Sequence, residues 1–289
     1  MTAGPPVGFI GLGAMGVPMV NRLLEAGFPV IGTTRSRERA ASVLEAGMEW
    51  ADDVAQVATS ASVVMTALPT EQAVRAVVIE ALDHAGEGQV IVDHSTVSVN
   101  LAKELSSLAD GRSVGFLDAP VSGGPAGARA GTLTVMVGGQ PGHLEQVSPQ
   151  IRAYGDPIHF CGPPGSGQVV KLVNQLLVGI HTVAAAEASE LALRLGADPS
   201  QILEVVGTSF GASTMLARNL PRIAEEDFEA ATSVKLLSKD LGIILREAET
   251  RQLALRIGNL VQELFSEAES AGYGDDDMAG IVRLWRDGT

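Results

Sequence analysis

Apolar residues in the first part of the chain fall into short blocks at positions 7–10, 29–34, 62–68, 90–93 and 114–117. Most are closed by glycine, proline or hydroxyl residues. Between them the spacing becomes helical, beginning at 15–26. Strands alternating with helices predict an α/β unit built on a parallel sheet. Residues 133–137 and 158–160 read as later strands. Gly162-Pro163-Pro164-Gly165 reads as a hinge.

A different pattern starts at Gly165. Residues 165–195 read as one long helix, with Ser166 as N-cap, Arg194 in the last turn and Gly196 as the stop. Val169, Val170, Leu172, Val173, Leu176, Leu177, Ile180, Val183 and Leu191 cover most of its circumference, which predicts a buried strut. Lys171, Asn174 and Gln175 interrupt that surface at spacings of three and four, so they share a face. A lysine on a buried helix is either paired or placed for chemistry. Beyond Gly196 the periodicity is helical only. Helices are expected at 201–206, 233–247 and 255–268, with a last one capped by residues 275–277. An all-helical half of this size cannot cover the long helix, so the first domain and a second copy of the chain are expected to cover its remaining apolar faces. A homo-oligomer, dimer or tetramer, follows.

The candidate chemistry begins after the first strand. Gly11-Leu12-Gly13-Ala14-Met15-Gly16 has the form G-x-G-x-x-G between a strand and a helix. That arrangement lets backbone approach a pyrophosphate at a helix N-terminus. The alternative is a glycine turn used for packing. The fold is therefore read as an N-terminal Rossmann-type doubly wound parallel sheet over residues 1–162. A long interdomain helix and an all-α C-terminal domain occupy 163–289.

In such units an acid near the end of the second strand holds the ribose of NAD. None is present here. Thr34-Arg35-Ser36-Arg37 offers hydroxyls and guanidiniums suited to a 2′-phosphate, so NADP(H) is favoured over NAD(H). The alternative is that Arg35 and Arg37 are solvated residues opening a helix capped by Ser36. Ligands in these folds lie beyond the carboxyl ends of the strands. Leu68, Pro69, Ser95, Thr96 and residues 120–124 should converge there. Ser122-Gly123-Gly124 can cradle a carboxylate or oxyanion, unless it is a glycine-rich surface hairpin. His94 is a catalytic base or, more ordinarily, a structural residue.

The net charge of −14 disfavours nucleic acid. With Cys161 as its single cysteine the chain can form no internal disulfide. Residues 1–16 lack the basic segment of a signal peptide. The uncharged run between Lys171 and Glu187 is too short for a comfortable membrane span. A soluble cytoplasmic protein without bound metal is expected.

Four blocks together resemble the β-hydroxyacid dehydrogenases. These include 3-hydroxyisobutyrate dehydrogenase, tartronate semialdehyde reductase and glyoxylate/succinic semialdehyde reductase, with 6-phosphogluconate dehydrogenase more distant. GFIGLGAMGVPMVNRLL (8–24) resembles the family's cofactor motif, DAPVSGGPAGARAGTL (118–133) its substrate motif and GSGQVVKLVNQ (165–175) its catalytic motif. Lys239-Asp240-Leu241 resembles its later lysine–aspartate motif. The resemblance implies that Lys171 is the catalytic acid/base. It implies that Ser122, Gly123 and Gly124 hold a small carboxylate-bearing substrate, and that Thr96 and Lys239 touch the nicotinamide nucleotide or the substrate. The family commonly has asparagine four residues after the lysine; here that position is Gln175, with Asn174 before it. Thr232 stands where an aromatic is often found. The expected activity interconverts a short 3-hydroxy acid and its semialdehyde or keto form. Glyoxylate, succinic semialdehyde or tartronate semialdehyde reduction is the alternative. An imine reductase, which usually lacks the lysine, and a non-catalytic nucleotide-binding protein are weaker readings.

Overall fold

The structure is a computed structural model, described here for residues 5–286. It forms two compact units, Met1–Lys171 and Leu172–Thr289. The division falls inside the long helix, and the hinge at 162–165 lies just ahead of that helix. The expected domain limits at 1–4 and 287–289 lie outside the described residues.

In the first unit the chain runs β1 (Val7–Ile10), α1 (Gly16–Glu25), β2 (Val30–Thr33), α2 (Ala41–Glu45), β3 (Glu49–Trp50), α3 (Val54–Ser60), β4 (Val63–Thr66), α4 (Glu71–His84), β5 (Val90–Asp93), α5 (Val99–Asp110) and β6 (Gly115–Asp118). It continues through β7 (Val121–Ser122), α6 (Gly124–Ala130), β8 (Leu133–Gly138), α7 (Pro141–Ile151) and β9 (Gly155–Gly162). The strands form one nine-stranded sheet in the order β3-β2-β1-β4-β5-β6-β8-β7, with β9 paired to β8. From β3 to β6 every neighbour is parallel. These strands are buried throughout β1, β2, β4, β5 and β6, as expected for a sheet covered on both faces. One apolar cluster packs Phe9, Met19, Leu23 and Leu117 together, and another packs Val64, Val78, Ile91 and Leu105. Local signals place several helices. Thr70 accepts from the Ala73 N–H at the start of α4, and Ser98 accepts from Leu101 N–H at the start of α5.

The strands after β6 depart from the parallel pattern. β8 runs antiparallel to β6 and β7. The glycine-rich stretch ahead of the expected strand at 133–137 holds β7 and α6. Its glycines obscured the short helix, since glycine weakens helical propensity.

In the second unit all elements are helical: the later turns of α8 (Ser166–Arg194), α9 (Pro199–Val206), α10 (Thr214–Glu225), α11 (Val234–Glu249), α12 (Arg256–Ala268) and α13 (Arg283–Arg286). Gly196, at φ +76°, ends α8, with Gly196 and Ala197 N–H groups returning to Leu193 and Ala192 carbonyls. Asp198 caps α9 ahead of Pro199. Asp277, fully buried, takes both forks of Arg218 at 2.8 and 2.7 Å and three backbone N–H groups besides, which closes this unit around the Met278–Val282 turn.

α8 corrects two expectations. It is not apolar and buried all round. Gln168, Lys171, Gln175 and Thr182 are buried, whereas Val169, Val170, Val173, Leu177 and Leu191 are each more than 40% exposed on the single chain. Its polar stripe faces inward. By length and composition α8 is also sufficient to cross a membrane, a property shared by core helices of soluble proteins.

Candidate active site

The glycine turn after β1 is built for close approach. Gly11 has φ +104°, which only glycine adopts without strain, and a Cβ there would meet the Ala67 carbonyl. A Cβ on Gly16 would run into the Gly11 carbonyl, so α1 can start this close to β1 only with glycine at its head. Gly13 is the opposite case: a Cβ there meets nothing within 4 Å. No side chain caps α1. The turn is thus filled from behind and open in front, and the α1 N-terminus retains donors for an anion. This cradle fits a dinucleotide pyrophosphate. Leu12 is buried in the core and Ala14 is exposed, so Leu12 lends the turn backbone only.

Beyond β2, the Ser36 hydroxyl donates to Glu38 rather than capping the next turn. The Arg37 guanidinium lies 5.3 Å from the Trp50 ring centre. Arg35 is exposed, and no acidic group pairs with it among the described residues.

At the ends of β4 and β5 a hydrogen-bonded chain orders the rim. Asp93 Oδ1 accepts from the Thr66 hydroxyl at 2.6 Å, the Ser95 hydroxyl at 2.6 Å and the Ser95 N–H at 3.1 Å. Ser95 Oγ in turn accepts from the Leu68 N–H at 2.9 Å. Leu68, Pro69 and half-buried Thr96 are therefore held at adjacent strand ends, as the topology required. Ser122 closes β7, paired with Thr134; Gly123 follows at φ +129° and Gly124 opens α6.

His94 takes its ordinary role. It is buried, with Nδ1 at 2.7 Å from the Ala119 carbonyl and Nε2 at 2.8 Å from the Tyr154 hydroxyl. The ring donates to Ala119 and accepts from Tyr154. Burial lowers its pKa to about 4, against the opposing pull of the Ala119 carbonyl. A neutral imidazole with both nitrogens engaged has no proton to exchange near neutral pH.

Asp118 was not among the residues picked out by sequence. It ends β6 and takes the place expected of Ser166: its Oδ1 accepts from Gly165 N–H at 2.7 Å and its Oδ2 from Gln168 N–H at 2.9 Å. Ser166 itself is the first residue of α8. Burial raises the Asp118 pKa to about 6; hydrogen bonds from Gly165 and Gln168 oppose the rise, and the Asp93 charge adds to it. Lys171, on the following turn of α8, is 6% exposed.

His94 and Asp118 have opposite linkage to folding. His94 contributes stability that is full above pH 6.5 and lost as pH falls toward 4, because only the unfolded chain binds the proton. Asp118 contributes stability that is full below pH 3.8 and lost as pH rises through about 6. At about pH 5 the folded chain holds one proton on Asp118 and the unfolded chain one on His94, so the two slopes cancel. In Asp118→Asn, urea midpoints should fall on acidification from about pH 6.5 to 4 relative to wild type. In His94→Gln they should rise, each change amounting to about 3 kcal/mol at most. Midpoint curves parallel to wild type in both variants contradict this assignment.

In the second unit Gln175 Nε2 donates to Asp240 Oδ2 at 2.6 Å, and Asn174 Nδ2 donates to Gln175 Oε1 at 3.0 Å. Lys239 Nζ lies 3.0 Å from Asp240 Oδ1. Gln175 and Asp240 are buried. Asp240, second residue of the lysine–aspartate motif, is the hub of this cluster, a role the motif alone does not give. It orders the two amides: Gln175 is locked against it, and Asn174 supports Gln175. No group of three metal-ligating residues occurs among the described residues.

A glycine cradle at a helix N-terminus, on a parallel sheet whose strand ends gather hydroxyls, defines a protein built to bind a pyridine dinucleotide. Comparison with known proteins gives the family. A model of the NAD binding domain of 6-phosphogluconate dehydrogenase matches residues 6–162, and one for the NAD-binding region of NADP-dependent 3-hydroxyisobutyrate dehydrogenase matches 165–285. The 2-(hydroxymethyl)glutarate dehydrogenase of Eubacterium barkeri is 33% identical over 283 residues, 96% of this chain and 94% of the relative. The mitochondrial 3-hydroxyisobutyrate dehydrogenase of Mus musculus is 30% identical over 297 residues, 99% of this chain and 89% of the relative. The solved structure of Mycobacterium tuberculosis 3-hydroxyisobutyrate dehydrogenase with L-serine aligns with a TM-score of 0.89 at 30% identity, over 98% of this chain and 99% of the other. The chain belongs to the β-hydroxyacid dehydrogenase family.

Proposed function

We propose that this family member interconverts a short 3-hydroxy acid and its semialdehyde with NADP(H), using Lys171 as the proton carrier. The observation that carries the reading is a lysine buried to 6% exposure on a helix whose first turn is tied to the strand ends of the nucleotide sheet. The nucleotide, when bound, supplies or accepts the hydride. In reduction Lys171 donates a proton to the carbonyl oxygen as the C–H bond forms, leaving the hydroxy acid and a neutral amine. In oxidation the neutral amine takes the hydroxyl proton back. The backbone of Ser122, Gly123 and Gly124 holds the carboxylate. Gln175, on the same helix face as Lys171 and fixed by Asp240, orients the reacting oxygen or the amine, with Asn174 behind it. Thr96 and Lys239 are assigned to the nucleotide or substrate by the family motif.

Similarity to proteins named for 3-hydroxyisobutyrate and 2-(hydroxymethyl)glutarate supports a 3-hydroxy acid. So does the L-serine named with the Mycobacterium tuberculosis structure, itself a 3-hydroxy acid. Glyoxylate, succinic semialdehyde and tartronate semialdehyde are the alternative substrates. Lys171 argues against imine reduction, and its company with Ser122 and Lys239 argues against a non-catalytic role. A nicotinamide absorbance assay over a panel of 3-hydroxy acids and semialdehydes tests the reading. Turnover of at least one is expected; none with any member, in the presence of bound nucleotide, rejects it.

The exposed Val169, Val170, Val173 and Leu177 support a homo-oligomer in which a second copy covers α8. Light scattering should give a molar mass of a dimer or tetramer; a monomer at micromolar concentration contradicts it.

A further inference from the structure

Two carboxylates that the proposed reaction does not use end neighbouring strands. Asp93 and Asp118 are register partners at the ends of β5 and β6, and both are fully buried. Asp93 orders the rim through Ser95. Asp118 turns the other way, onto α8, where its two oxygens take the Gly165 and Gln168 N–H groups at 2.7 and 2.9 Å. It sits in a recess lined by glycine: a Cβ on Gly138 would lie 2.5 Å from its Oδ1, and one on Gly167 would lie 2.8 Å from its Oδ2. Gln168, fully buried, ties the same turn to the other strand. Its Nε2 donates to the Ser95 carbonyl at 2.9 Å, and its Oε1 accepts from Val97 N–H at 3.2 Å. The first turn of α8 is thus clamped to the β5 and β6 ends at once, and Lys171 follows Gln168 by three residues.

We infer that Asp118 is a positioning residue for Lys171: by holding the first turn of α8 in a glycine recess, its carboxylate fixes where the buried amine stands relative to Ser122, four residues further along its own strand-end segment. The catalytic part of this inference rests on the function proposed above; the placement of the amine does not. A carboxylate serves both N–H groups at once, and an amide offers a single acceptor oxygen. A displacement of about 1 Å at a reacting group costs on the order of 100-fold in rate. The ionisable groups that bear on Asp118 are Asp93 from β5 and the Cys161 thiol from β9; the first turn of α8 faces it with backbone donors.

The test uses the full chain, whose lysines are Lys103, Lys171, Lys235 and Lys239. The protein is reductively methylated with a carbon-13 label, and the Lys171 signal is assigned by its loss in Lys171→Arg. In wild type that signal should stand apart from those of the three other lysines, as a fixed, buried amine requires. In Asp118→Asn it should move toward the signals of exposed lysines. A wild-type signal that coincides with theirs overturns the inference, and needs no variant to fold. So does an unchanged signal in Asp118→Asn. In turnover, Asp118→Asn should lower kcat about 10- to 100-fold with KM for the nucleotide within about twofold. A kcat within about twofold of wild type overturns the catalytic part. Absence of wild-type turnover rejects the proposed function instead, and the labelled lysine still decides the positioning.

Discussion

Replacing Lys171 by alanine should lower turnover by about 100- to 10,000-fold, the usual contribution of a positioned general acid or base. The loss should appear in kcat, because hydride transfer leaves an alkoxide that nothing else on the α8 face can protonate. Asn174 donates through an amide, and Gln175 already gives its donor to Asp240. Nucleotide affinity should stay within about twofold of wild type, because the glycine cradle of residues 11–16 does not involve Lys171. The substitution also removes a long buried side chain, so its effect on folding must be separated from chemistry. Lys171→Met fills similar volume without a proton and should be equally inactive. Fluorescence titration with NADPH and steady-state kinetics on both variants check this. Activity within about tenfold of wild type contradicts a proton-carrying Lys171.

Changing Arg35 to aspartate should reverse the nucleotide preference. Charge-assisted hydrogen bonds contribute about 1.5–3 kcal/mol each, so loss of the guanidinium should weaken NADPH about 10- to 100-fold. The new carboxylate repels a 2′-phosphate and can accept from a ribose hydroxyl, so NADH affinity should hold or improve. The structure separates Arg35 from its neighbour: Arg37 stacks over Trp50, whereas Arg35 has no acidic partner among the described residues. Arg37→Asp should therefore change the preference less. Kd values for NADPH and NADH on both variants check the ordering. An unchanged ratio in Arg35→Asp contradicts the 2′-phosphate assignment, and Ser36, engaged by Glu38, could not rescue it.

What could be read from sequence was what local chemistry decides. The buried runs of β1, β4 and β5, the glycine turn at 11–16 and the Gly196 stop each depend on residues within a few positions of one another. What escaped depends on partners far along the chain. Ser166 has the right chemistry for a cap, but Asp118, nearly fifty residues earlier, fills that role because β6 ends beside the helix. Asp240 is legible as the second residue of the lysine–aspartate motif, but its bond to Gln175 exists only because α11 sets the two together. On the single chain the α8 surface departs from its apolar pattern for a related reason. A count of apolar residues treats all faces alike, whereas packing buried the polar stripe of Gln168, Lys171 and Gln175 and left Val169, Val173 and Leu177 outside.

The most direct measurement follows the hydrogen itself. A 3-hydroxy acid that the enzyme oxidises, carrying deuterium on its hydroxyl-bearing carbon, is incubated with NADP⁺, and the reduced nucleotide is analysed by mass spectrometry. Deuterium should appear in the nucleotide with wild type and fall to background with Lys171→Met. A wild-type enzyme that binds the nucleotide yet transfers no label from any 3-hydroxy acid, or a Lys171→Met variant that transfers it at the wild-type rate, contradicts the account.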